Sequence, residues 1–318
     1  MNTIKLDPLI HRPIIHVSDN PELLEGNVNG PSLIKVPAWV SRPLGRYYLY
    51  FAHHEGRSIR LAYADELRGP WRLHPAGALQ LAQSGFPTTS PKPDALHPYV
   101  RMLIKAGHDG DYAHIASPDV VVDAAQQQIR LYYHGRMPDG RQATRVALSS
   151  DGLHFVAREP LLGHPYMRMV QHEDVWYGVG MPGIIYRSQD GLSDFEQGGK
   201  IFDPAVRHCA LLKRNNTLYA FWTQVGHAPE RILMSKINLS ADWTSWQDSP
   251  PIEIHRPTAA WEGANLPLEA SRYGGIMQPV NQLRDPAVFV ENDTIYLLYT
   301  VQGEQGIAIG RLSGDWRF

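Results

Sequence analysis

The feature that most constrains this chain is a strand-turn-strand unit that occurs five times. The first copy runs GPSLIKVP, RYYLYFAHH and SIRLAYADELRGPW over residues 30–71, and the second SPDVVVD, QIRLYYHGR and ATRVALSSDGLHF over residues 117–155. The third is YMRMVQH, VWYGVGM and GIIYRSQDGLSDF over 166–195, and the fourth HCALLKR, TLYAFWTQ and RILMSKINLSADWTSW over 208–246. The fifth is DPAVFVE, TIYLLYT and GIAIGRL over 285–312. Each copy holds three runs rich in β-branched and aromatic residues, joined by polar turns such as Asn215-Asn216 and Asn292-Asp293. A repeat of this kind is the signature of a propeller, whose units bury their faces only against one another. The expected fold is therefore all-β: one five-bladed β-propeller domain over residues 1–318, with four antiparallel strands per blade. The segments DELRGPW, SSDGLHF and SQDGLSDF read as tight turns into a fourth, outer strand. The fifth copy ends without one, so the N-terminal segment, at residues 3–9 or 12–17, is expected to close the last blade and leave no open sheet edge.

Residues 73–116 and 247–283 stand outside the blade pattern and are expected to be loops. Connections of that length are usually functional. Both lead into an innermost strand, which makes them candidate walls of one pocket at the mouth of the axis.

Composition excludes several classes. Fifteen Tyr, eight Trp, 27 Gly and 25 Pro suit many short strands and little helix. A formal charge of −2 with no basic stripe gives a nucleic-acid partner no electrostatic footprint. Cys209 is the only cysteine, which removes an intramolecular disulfide, a cysteine zinc cluster and a CxxC motif. No HxxxH, HExxH or aspartate-rich calcium loop is present, so no metal or other cofactor is read from the sequence. The N-terminus lacks a basic segment followed by an apolar one, and no apolar run approaches about 18 residues, so a cytoplasmic protein without a membrane partner is expected. Nothing in the sequence signals an oligomeric state.

The run RYYLYFAHHEGRSIRLAYADELRGPW and the later RDPAVFVENDTIYLLYT resemble the five-bladed propellers of glycoside hydrolase family 43 and its relatives in families 32, 117 and 130. The resemblance implies a glycoside hydrolase, with an Asp base on the first innermost strand, an Asp modulator on the second and a Glu acid on the third. Here the first position reads Asn29-Gly30-Pro31 and the third Tyr166-Met167-Arg168, while Asp285 stands in the Asp-Pro context of the last blade. The resemblance also implies that a histidine can be the acid, as in the neoagarobiose hydrolases of family 117, and that a central histidine such as His208 can support an axial cation.

Side chains alternate along a strand, so one register of each innermost strand lines the axis. Aligning the copies places Gly30, Ser117, Tyr166, His208 and Asp285 in one column, with Ser32, Asp119, Arg168, Ala210 and Ala287 two residues on. Asn29, Arg207 and Arg284 precede these strands and would lie on the mouth, its rim completed by His53, His54 and Glu55 and by His134 and Arg136. Glycoside hydrolysis needs an acid for the leaving oxygen and a carboxylate that activates water or attacks the anomeric carbon. Asp285 and then Asp119 are the candidate bases, each with the alternative of capping its own turn. The acid is sought in Glu262 or Glu269 of the second long loop, or among His54, His114, His172 and His208 near strand ends. Tyr166 is a further catalytic candidate. Tyr112, Trp261 and Tyr273 offer aromatic faces to a sugar. Arg168, Arg207, Arg272 and Arg284 either grip a substrate carboxylate or hold the site's own aspartates in shape. Three functions follow: a glycoside hydrolase acting on small oligosaccharides, a lyase that eliminates across uronate-containing sugars with Tyr166 or His208 as base, or a sugar-binding propeller without catalysis.

Overall fold

The computed structural model describes residues 4–108, 110–202, 206–314 and 316. Each blade is an antiparallel sheet whose first strand lies innermost. Blade I comprises Asn29–Lys35, Tyr47–Ala52, Ser58–Ala64 and Arg72–Gln80, and blade II Ile115–Asp123, Gln128–Arg136, Gln142–Ser149 and Val156–Ala157. Blade III comprises Arg168–His172, Val175–Gly180, Ile184–Ser188 and Glu196–Lys200, and blade IV Val206–Arg214, Thr217–Gln224, Ile232–Asn238 and Ile252–His255. Blade V contributes Arg284–Glu291, Thr294–Val301 and Gly306–Ser313, and its outer strand is Lys5–Pro8 from the far end of the chain. Both N-terminal candidates are used, because Ile15–His16 also pairs with residues 306 and 307. Among the described residues no helix is long and apolar enough to cross a membrane.

The two stretches expected to be loops begin as strands. Arg72–Gln80 and Ile252–His255 are the outer strands of blades I and IV. Pro75 and Gly77 hide the first of them in the sequence, yet an outer strand tolerates both because one of its edges has no ladder partner. The rest of the first stretch includes the α-helix Pro98–Lys105.

Alternation explains how the blades pack. Tyr48 and Tyr50 of one middle strand enter the apolar interface between blades I and II, while their neighbours Tyr47, Leu49 and Phe51 enter the one between blades V and I. Five such interfaces, one between each consecutive pair of blades, make up the core. The N-terminal segment joins two of them, Ile4 and Leu6 between blades IV and V, Ile14 and Ile15 between V and I. Hydroxyl latches add to the apolar contact. Tyr50 donates to the Gly152 carbonyl at 2.8 Å, and Tyr132 to that of Gly191 at 2.9 Å, each reaching the Asp-Gly turn of the next blade. In those turns Asp151 and Asp190 accept from the two amides that follow the glycine.

The innermost strands share a device at the end where they begin. The ladder skips at residues 29–32, 116–119, 206–209 and 284–287, a bulge in four of the five blades. Gly30, Ser117 and Asp285 sit in these bulges with left-handed backbones (φ 56°, 51° and 49°), each followed by a proline, and Tyr166 takes φ 60° just before its strand in blade III. An extra residue turns its side chain out of the pleat, which is how the first column of the repeat reaches the axis.

Ile15 is 2% exposed, so Ile15→Ala should lower the unfolding free energy in urea by about 2–5 kcal/mol. A loss under about 1 kcal/mol would mean that this segment rests on the fold without closing it.

Candidate functional site at the mouth of the axis

The first column of the repeat converges. The Tyr166 ring lies between the imidazoles of His134 and His208, with centroids 4.1 and 4.3 Å away and both planes tilted by 37°. On one side the row continues through His114, whose Nε2 is 3.3 Å from Nε2 of His134. On the other side His208 Nδ1 meets the Asp285 carboxylate in a very short contact. His114 Nδ1 donates to the Tyr112 carbonyl at 3.2 Å, since a carbonyl can only accept. Its Nε2 must then accept, so His134 donates through Nε2 and presents a bare Nδ1, which is buried without a partner. Burial pushes His114 down to about 3 and His134 well below its ordinary value, so both rings are neutral.

Beyond Asp285 lies a lattice of buried charge. Arg284 donates to Glu304 at 3.0 Å and to the Gln282 amide oxygen at 2.6 Å, and stands 3.3 Å from Glu230. Arg207 donates to Glu230 at 3.0 Å. Glu304 accepts from Asn27 at 2.7 Å and from Asn29 at 3.4 Å, and its carboxylate is 3.7 Å from His54 Nδ1. Burial lowers His54 against the opposing pull of Glu304 and Asp285. For Asp285 burial acts upward, but His208, Arg284 and Arg207 outweigh it and hold the carboxyl far below the usual range. Three carboxylates thus face two guanidiniums.

The roof comes from both long stretches, whose side chains meet where the His108 and Tyr273 rings lie 5.4 Å apart. Gly274 accepts at its carbonyl from Arg207 and from Arg284, 3.2 Å each, and the Arg272 carbonyl accepts from Arg207. Gly275 lies directly on the His54 ring. Tyr273 faces outward on this strap, 39% exposed.

Other expected site residues lie elsewhere. Arg168 is buried below the rings and donates to the carbonyls of Ser117, Pro118 and Cys209, riveting blade III to blades II and IV. Asp119 accepts from the Met169 amide at 2.8 Å and stands 3.9 Å from Arg168, part of the same rivet, with its carboxyl raised by burial. His172 ends the innermost strand that Arg168 begins, about 13 Å down the axis at the usual strand rise. There it packs against Tyr177 and Trp246, away from the mouth. Trp261 packs on the interface between blades IV and V, and Glu269 is exposed. Glu262 is spent on His255, Tyr299 and Thr258. Glu230 and Glu304 were not singled out by the sequence reading. They occupy the turns between second and third strands of blades IV and V, the positions that His53 to Glu55 hold in blade I, and aligning those turns would have found them. Among the described residues no three His, Cys, Asp or Glu side chains converge as for a metal ion, and a cation beside His208 would stand next to Arg207 and Arg284.

A histidine kept neutral by burial binds a proton more readily when unfolded, so the unfolded state gains protons as pH falls below about 6.5 and stability falls with it. Chemical denaturation between pH 7 and 5 should therefore show stability dropping, by up to about 1.4 kcal/mol per unit for each such ring. His114→Gln should reduce that slope. An unchanged slope would mean that His114 takes up a proton in the folded protein.

No family model matches this chain. It is 36% identical over 317 residues to the uncharacterized protein R118 of Acanthamoeba polyphaga mimivirus, an alignment covering 91% of this chain and 85% of the relative. Among solved structures it is similar to a thermostable family-43 glycoside hydrolase (16% identity, 91% of this chain and 89% of that one, TM-score 0.55). A compost-metagenome family-43 β-xylosidase/α-arabinofuranosidase solved with xylotriose matches with 12% identity, 97% and 94% coverage and TM-score 0.56. A family-43 enzyme from Xanthomonas citri matches with 10% identity, 98% and 90% coverage and TM-score 0.57. At such identities the likeness is one of fold. The chain belongs to one family with the mimivirus protein R118, built on the five-bladed propeller that family-43 glycoside hydrolases use.

Proposed function

We propose that this protein is a glycosidase that acts on the terminal unit of a small, uncharged oligosaccharide at the axis mouth. The observation that carries the reading is the pair of histidine–carboxylate contacts, His208 with Asp285 and His54 with Glu304, on either side of Arg284. Hydrolysis needs one group to give a proton to the leaving oxygen and another to take one from water. His208 suits the first role, because the ionised Asp285 fixes its Nδ1 and stabilises positive charge on the ring, leaving Nε2 to donate. His54, held neutral, suits the second. Tyr166 offers an aromatic edge between two imidazoles, and Arg168 fills the space beneath, which favours an end unit over a chain threaded through the axis.

The charge count favours a neutral sugar. Arg207 and Arg284 already face Glu230, Glu304 and Asp285, so a uronate would add a further negative charge to a buried site where carboxylates already outnumber guanidiniums. The same count weighs against a lyase, which relies on cations to stabilise a carboxylate-conjugated anion. The positions of the family-43 carboxylates read Gly30 and Tyr166 in blades I and III. At Gly30 a Cβ would come within 2.8 Å of the Ser117 backbone, so a side-chain acid has no room there.

A panel of neutral aryl glycosides and xylo- or galacto-oligosaccharides, with a uronate oligosaccharide beside them, tests the reading. New reducing ends without ultraviolet absorbance are expected from the neutral set. Absorbance from the uronate would establish a lyase, and binding without product would establish a lectin. Asp285→Asn should cut turnover by at least about 10²–10⁴-fold, the range typical of general acid–base catalysis. The fold should survive, since asparagine accepts the left-handed backbone at this position (φ 49°). A rate within a few-fold of the parent would remove Asp285 from the mechanism.

A further inference from the structure

The strap at residues 271–275 does more than roof the site. Two of its carbonyls, those of Arg272 and Gly274, occupy donor hydrogens of Arg207 and Arg284 that point into the mouth. Those guanidiniums are held from behind by Glu230, Glu304 and Gln282, so their direction does not depend on the strap. Next to them Gly275 fills the space over His54, where a Cβ would come within 2.4 Å of the ring. A ligand hydroxyl cannot accept from the same donors, nor reach His54, while the strap is seated.

We infer that this strap is an internal occupant of the sugar site, whose carbonyl oxygens stand in for ligand hydroxyls and which must leave before a sugar can enter. The inference rests on the reading of the axis mouth as the sugar site. The strap is built to leave. Ser271 is pinned to the blade IV turn by backbone bonds with Gly226 and His227, and the Ile276 and Met277 carbonyls are held by Asn27 and Gln305. Between these anchors Gly274 has a left-handed backbone (φ 82°) and open space around its α-carbon, a pivot that needs no repacking. When the strap swings out, the guanidinium donors and both histidine–carboxylate pairs are left in place, already aimed.

Gly275→Ala isolates the effect, because a methyl there meets only the His54 side chain among its nearest neighbours. Acylation by diethyl pyrocarbonate, followed site by site by mass spectrometry, reads the opening without any sugar. In the parent protein His54 should label much more slowly than His154, whose side chain is 86% exposed. Gly275→Ala should raise the His54 rate by at least about tenfold, as expected when a local opening is made cheaper, while His172 stays protected as the sign of an intact propeller. An unchanged His54 rate overturns the inference, as does a parent rate equal to that of His154. Should the variant also expose His172, the parent decides. Amide exchange at residues 271–275 well ahead of strand Thr294–Val301 supports a displaceable strap, and exchange in step with that strand overturns it. Failure of every glycoside to react in both proteins would defeat the glycosidase reading and leave the labelling result standing.

Discussion

Arg284 is the group around which the mouth of this propeller is arranged. Its guanidinium is buried, and its charged partners come from blade IV through Glu230 and from its own blade through Glu304. Glu304 carries the lattice on to Asn27, Asn29 and His54 beside and within blade I. Taking charges out of water costs several kcal/mol per ion, and that cost is offset only where every partner is present. The mouth therefore behaves as one electrostatic object. Moving any member leaves another charge buried and alone, which is why side chains from separate blades hold one geometry.

Much of the fold could be read from the chain because propeller blades repeat the same physical problem. Each middle strand must bury both faces, and unbroken apolar runs such as YYLYF record that demand directly. The first column of the repeat was legible for the same reason, and Tyr166, His208 and Asp285 do meet. The next column was misleading. Asp119 and Arg168 look like site residues in a list of polar positions, yet they tie neighbouring backbones together, and only the identity of their partners separates the roles. Glu230 and Glu304 escaped notice because a carboxylate in a turn ordinarily faces water. Nothing local to GHAPER or GEQG says that an arginine from elsewhere will cover it. Trp261 shows the reverse error, an aromatic in a long loop whose face is spent on the core.

The comparison with family 43 separates scaffold from chemistry. The propeller is shared across nearly the full length, but the acidic positions that the family resemblance implies in blades I and III read Gly30 and Tyr166 here. Gly30 and Ser117 approach too closely for a long side chain at the head of blade I, and the candidate side chains come from turns between second and third strands and from the heads of blades III to V. A fold that points ten strand ends and several turns toward one axis allows such relocation without a change in architecture.

The closure of blade V by the N-terminal segment also governs how the molecule can be made. Asp7 and Ser313, hydrogen-bonded partners in the finished sheet, are 306 residues apart. The strand Lys5–Pro8 leaves a ribosome long before its partner strand Gly306–Ser313 emerges. Until then Ile4, Leu6, Ile14 and Ile15 have no interface to enter, and blades I to IV form an open arc with two bare inter-blade faces. Contacts this distant in sequence are slow to form and leave apolar surface uncovered in the meantime. A growing chain of this design therefore has a vulnerable interval between the completion of blade IV and the arrival of blade V, the period in which a holdase chaperone would have most to protect.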